Sequence, residues 1–330
     1  MFIDADAYHF SNSDEHQVLL NRSFTDFHSR SGDVLLKNLI GELTFRKTYG
    51  AFSEIAAYDW LAKNGIDFET QVPLGPADVV NPNGSAIDGK LRLGTKDVYF
   101  DVKGFGFYEH KFAILKKKIE REFSDEEVVV EGGTFGSIDS IQDLLEWNGF
   151  NALLAELRSD KKAKRDALQF QVRAKRKVSI SIHEPDPVRS AESNREYPLS
   201  FGQQFTRNTP FILFFVIHPW FSKGAIHQNF AGYTDQFCRK LCDLTFDSFC
   251  KDQTLLFGLE KRELAKLLSG IAFINVWPQS SSMGSGASSR IFLNRNALFP
   301  LNRSDFGQLQ DQMGSGLLME ENQEGRPETS

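Results

Sequence analysis

Residues Ser85 to Gly104 read SAIDGKLRLGTKDVYFDVKG. Two alternating arms flank Gly94-Thr95-Lys96-Asp97, so the stretch is predicted to be a β-hairpin. Strand side chains alternate between faces, which puts Asp101 and Lys103 together and Val102 on the other side. Asp88 stands on the first arm. Two carboxylates and an ammonium are costly to build in or beside a core, and a divalent cation with a negatively charged substrate accounts for that cost.

Outward from the hairpin, helices alternate with strands. Phe52 to Asn64 has the spacing of a helix, with Phe52, Ile55, Ala56, Trp60 and Leu61 on its apolar stripe and Gly65 as its C-cap. Asp67 to Leu74 alternates as a strand, and Pro73, Pro76 and Pro82 mark a loop. Downstream, Tyr108 to Phe123 reads as a basic helix, Val128 to Val130 as a short strand, Asp139 to Arg158 as a long helix and Leu168 to His183 as a long strand. Glu184 to Tyr197 is expected to be a polar linker. Phe211 to Ile217 is wholly apolar, the pattern of a strand covered on both faces. Helical patterns at Phe237 to Phe249 and Lys261 to Leu268 precede a second buried strand, Ile271 to Trp277. The order predicts an α/β fold with a central mixed sheet flanked by helices.

The chain has 330 residues, 41% hydrophobic and 25% charged, which suits one large or two ordinary globular domains. The net charge of -6 gives no general affinity for nucleic acid, yet a local basic face is compatible with it. From Arg158 to Lys177 nine Lys/Arg stand against Asp160 and Asp166. Such a run is either a solvated face or a phosphate-tracking surface. Three cysteines, Cys238, Cys242 and Cys250, suggest no disulfide framework, and their spacing matches no standard metal pattern. The start, MFIDADAYHF, lacks the features of a signal peptide, and the longest apolar run is too short for a bilayer. A cytoplasmic protein without a membrane segment is expected. The chain has no P-loop, Rossmann fingerprint, HExxH or G-x-S-x-G motif.

Acid-x-Lys also occurs at Glu109-His110-Lys111 and Asp160-Lys161-Lys162, so the tripeptide alone decides nothing. Only Asp101-Val102-Lys103 ends a strand, one hairpin after Asp88 and downstream of Glu54 on a helix. In that order the chain resembles the PD-(D/E)xK nuclease superfamily, the restriction-endonuclease-like fold, over roughly residues 47 to 125. The resemblance implies that Asp88 and Asp101, with the Val102 carbonyl, hold Mg²⁺ or Mn²⁺. It implies that Glu54 completes the site through a metal-bound water or a second metal. Lys103 would position or deprotonate the attacking water and offset phosphate charge. Pro76-Ala77-Asp78 also resembles the PD element; Asp88 is favoured over Asp78 because hairpin loops are short.

The expected function is metal-dependent hydrolysis of DNA phosphodiester bonds by an endonuclease of restriction, repair or phage-defence type. RNA is the second substrate considered, and a catalytically inactive nucleic-acid-binding or assembly subunit the alternative of a different class. Gln169 and Gln171 share a strand face with Arg173, Lys175 and Lys177 and are candidates for nucleic-acid contact. A homodimer or a separate partner subunit is the expected assembly. The expected division is an N-terminal element at 1–45, a nuclease domain at 46–278 with its catalytic core at about 47–183 and further sheet and helix elements at 198–278, and a flexible tail at 279–330.

Overall fold

The computed structural model describes residues 38–39, 48–105, 107–132, 144–145, 147–165, 168–175, 186–217, 230–275, 289–306 and 317–321. The chain forms two compact units, one of residues 1–105, 187–218 and 229–330, the other of residues 106–186 and 219–228. Among the described residues no helix is long and apolar enough to cross a membrane. Most of the expected N-terminal element, and His218-Pro219-Trp220, Lys177 and residues 322–330, lie outside the described residues.

The first unit is built on a seven-stranded mixed sheet. Its strands in chain order are β1 (Phe68–Leu74), β2 (Ser85–Leu93) and β3 (Lys96–Phe105), then, beyond the second unit, β7 (Phe211–Ile217), β10 (Gly270–Asn275), β11 (Ser289–Leu293) and β12 (Leu317–Glu321), and this is also their spatial order. The pairs β1–β2, β2–β3 and β10–β11 are antiparallel, while β3–β7, β7–β10 and β11–β12 are parallel. Every residue of β7 is buried, as its unbroken apolar run predicts. The Phe100 ring of β3 stacks on Phe214 of β7 with centroids 4.7 Å apart.

Helix α1 (Thr48–Lys63) packs on this sheet, burying Phe52, Ile55, Tyr58 and Leu61. It ends in a Schellman motif. Gly65, at φ +70°, donates to the Ala62 carbonyl at 3.0 Å, and Ile66 donates to Leu61 at 3.0 Å. The hairpin turn is tighter than its four-residue reading: Leu93 pairs with Lys96, leaving Gly94 and Thr95, and Gly94 takes φ +59°.

Three expectations are corrected. The span 47–183 is not one core. Helix α2 (Phe107–Glu122) follows the D-x-K strand, but its Leu115 and Ile119 are buried with Leu153 and Leu157 of α3 (Trp147–Asp160) and with Leu168, Phe170 and Val172 of β6 (Leu168–Ala174). Together with β4 (Glu126–Gly132) and β5 (Lys162–Arg165), in the order β4-β6-β5, they make the second unit with its own core. The expected linker at 184–197 contains helix α4 (Pro187–Ser193), with Pro at the first helical position and Ala191 fully buried. Finally, the expected tail from 279 contributes β11 to the central sheet, buries Leu301 and Phe306, and joins the hairpin through Lys96–Asp305 at 2.8 Å. The apolar residues Ile291, Phe292 and Leu293 explain why it folds inward.

Helix α5 (Phe230–Asp243) runs into a π-helical turn, Leu244–Ser248. A short hairpin, β8 (Leu255–Leu256) and β9 (Leu259–Glu260), leads into α6 (Lys261–Leu267), which carries a Glu260–Glu263 capping box. Cys238 and Cys242 are buried thiols held well above their ordinary range, chiefly by burial, which suits packing and disfavours thiolate ligation.

Candidate active site

Three neighbouring strands lose their regular pairing at one level. The β2–β3 ladder runs from Leu93↔Lys96 to Gly89↔Phe100 and stops there, at Asp88 and Asp101. On the other side of β2, Thr70↔Gly89 and Val72↔Ile87 pair, but Gln71 and Asp88 between them do not. The backbone groups freed at this level find other partners. Val102 N–H donates to Asp88 Oδ2 at 2.7 Å, and the Tyr58 hydroxyl of α1 donates to the Asp88 carbonyl at 2.8 Å. Gly89 sits so close to its neighbours that a Cβ there would lie 2.6 Å from the Glu69 carbonyl and collide with the Phe100 ring. Fork and cross-strand contact thus depend on residues adjacent in sequence, Asp88 and Gly89.

Asp101 is buried at 1% exposure, yet its Oδ1 meets no hydrogen-bond donor among the described residues. Its Oδ2 faces the Lys103 ammonium as an ion pair, as the i, i+2 alternation predicts. Lys103 also lies over the Phe201 ring, 5.2 Å from its centroid. Burial first, then repulsion from Asp101 and Glu54, raise the Asp88 carboxyl well above the usual carboxylate range, with Lys103 opposing. With its acids ionised the site would hold more negative charge than its one ammonium balances. An orphaned, buried carboxylate oxygen beside a second carboxyl of raised proton affinity is a donor set that fits a small hard cation.

Glu54 is the third acid of this region. It is half-buried on α1, and its Oε2 accepts from Gln71 Nε2 at 3.2 Å. Among the described residues no group of three His, Cys, Asp or Glu is close enough to hold one metal ion. Glu54 is thus tied to β1 through Gln71 and acts electrostatically on Asp88, a place that suits the expected role through a metal-bound water or a second metal. Mg²⁺ retains several waters and is commonly held by one or two carboxylates, so the pair suffices as a donor set.

Asp88 and Asp78 differ in position. Asp78 is exposed in a turn, where its Oδ2 accepts from Gly75 N–H at 3.3 Å and its carbonyl from Arg207 N–H at 2.7 Å. Asp88 is the acid beside Asp101.

Gln169, Gln171, Arg173 and Lys175 lie in the second unit. Gln169, Gln171 and Arg173 occupy the outer face of β6, opposite the buried Leu168, Phe170 and Val172. Arg173 is held by Glu127 through Nε at 2.8 Å, and Lys175 donates to the Ser124 carbonyl. Arg158, Lys161 and Arg165 likewise pair with Glu122, Glu126 and Glu156. Lys162 and Lys164 are exposed and make no ion pair among the described residues. With Gln169 and Gln171 they line a groove of about 440 Å³. Among the described residues the basic run thus divides into cations that staple the unit and a pair left open to solvent.

The reading of the sequence missed Gln71, which has φ +51° in the middle of β1. Its only sequence signal is a position opposite Asp88 once β1 and β2 are aligned. Comparison of the chain with protein-family models, curated proteins and solved structures finds no match.

Proposed function

We propose that the first unit is a metal-dependent nuclease of the PD-(D/E)xK kind, hydrolysing phosphodiester bonds of DNA. The observation that supports this most is the fork between β2 and β3, where Asp88 and Asp101 face each other with an unsatisfied buried oxygen and Lys103 alongside. The strand order also agrees: helix α1, the antiparallel β1-β2-β3, then β7 parallel to β3. Asp88, Asp101 and the Val102 carbonyl are the groups that would hold Mg²⁺ or Mn²⁺. When bound, the ion supplies Lewis-acid polarisation of the phosphate and a more acidic water. Lys103 places a positive charge where the phosphate gains negative charge, and Asp101 fixes that ammonium in place. Glu54 adds a carboxylate at the edge of the site. Lys162 and Lys164 of the second unit offer phosphate contacts.

The test is incubation of plasmid DNA, single-stranded DNA and RNA with Mg²⁺ or Mn²⁺, beside Asp101→Ala and Lys103→Ala. Cleavage by the unaltered protein, falling at least about a hundredfold in each variant, is expected. Cleavage that survives both substitutions overturns the assignment. Cleavage confined to RNA changes the substrate and keeps the site. Metal-independent binding with no cleavage of any substrate identifies a binding subunit instead.

A further inference from the structure

We infer that Gln71 is a positioning residue of this site, holding Glu54 at the edge of the Asp88–Asp101 pair through a backbone conformation that glutamine rarely adopts. The inference rests on the nuclease reading for its kinetic consequences and on geometry for the rest. At φ +51° Gln71 is in the left-handed region, uncommon for any residue but glycine and more so within a strand. No inserted residue forces it there, because the pairs on either side, Thr70↔Gly89 and Val72↔Ile87, keep one register. Nor does packing, because the Gln71 side chain is exposed. What the conformation achieves is a reach. Gln71 Nε2 donates to Glu54 Oε2 at 3.2 Å, and the side chain lies beside the Tyr58 hydroxyl, which donates to the Asp88 carbonyl at 2.8 Å. One amide thus holds the helix acid beside the tyrosine that bonds the strand acid, at the unpaired level of β1 and β2. Strain kept at an exposed residue that bonds an acid of a charged site is the pattern of a functional position.

The inference predicts opposite signs for stability and function. Glycine adopts φ +51° without strain, so Gln71→Gly removes the amide and the strain together. Its melting midpoint is expected to match or exceed that of the unaltered protein. Its kcat on DNA is expected to fall about 10- to 100-fold with KM within twofold, and its Mn²⁺ affinity, measured by calorimetric titration, to weaken at least threefold. Gln71→Asn, which tolerates the same backbone and keeps an amide, should recover part of the loss, whereas Gln71→Glu should not. A Gln71→Gly protein with unaltered kcat and Mn²⁺ affinity overturns the inference. So does one whose loss of activity follows a lowered melting midpoint, since that marks a structural role. If the unaltered protein cleaves no nucleic acid, the nuclease reading fails separately, and Mn²⁺ affinity decides: weakened in Gln71→Gly supports the positioning role, unchanged overturns it.

Discussion

An ionised Asp88 would face the charges of Asp101 and Glu54, while its Oδ2 accepts the Val102 N–H. Its raised proton affinity has a definite sign for stability. Between the ordinary carboxylate pKa and the raised value, the folded chain keeps a proton that the unfolded chain has released. Metal-free protein should therefore lose stability as pH rises through that window. Asp88→Asn removes the repulsion and keeps an amide oxygen for Val102. In EDTA at pH 7–8 its melting midpoint should exceed that of the unaltered protein, and the two should converge below about pH 4. Thermal scans across pH check this, and an unchanged gap at all pH values contradicts it. The same variant should lose cleavage, so stability and function conflict at this one residue.

At the scale of elements, the fork depends on a close contact as much as on charge. Gly89 lets β1 and β3 approach β2 beside Asp88, and a methyl group there would meet the Glu69 carbonyl and the Phe100 ring. Gly89→Ala should destabilise the protein by about 1–3 kcal/mol, measurable by urea unfolding. A variant as stable as the parent would show that the strands move apart freely. The hairpin and β7 were legible in the sequence because alternation and an unbroken apolar run each impose one structure. Helix α1 was legible as a helix ending at Gly65, although it is buried around most of its circumference rather than along one stripe. Asp101 and Lys103 were legible for the same reason: two residues apart on a strand means side by side. The strain at Gln71 was not, since an exposed glutamine in a strand looks like any other polar position. Glu54 was legible only as a face of its helix, because a helix register gives a face and not a distance. Helix α2 misled by following the D-x-K strand, although its apolar residues serve another core. Strand β11 was hidden by its brevity and by the Ser/Gly run before it.

On the scale of the whole molecule, the open cations belong to one unit and the acids to the other. If Lys162 and Lys164 contact phosphates, Lys162→Gln/Lys164→Gln should reduce the slope of log affinity against log salt by about 2, as expected for two lost contacts on duplex DNA. Binding measured in EDTA isolates this from cleavage. Arg173→Gln should leave the slope unchanged, because that guanidinium is already held by Glu127; equal effects of the two changes would refute the division of the basic run. The insertion of the second unit also matters for how the protein is made. Asp101 aligns with Leu213, so β3 must wait 112 residues (213 − 101) for β7. At 5–20 residues per second a ribosome needs roughly 6–22 s to supply it. During that interval β3, with Phe100 and Val102, is an open edge able to pair with any neighbouring chain, and Asp101 and Lys103 are charges that disfavour such pairing. The two residues proposed for chemistry would then also protect the growing chain, and neutralising both would raise aggregation during synthesis before any substrate is met.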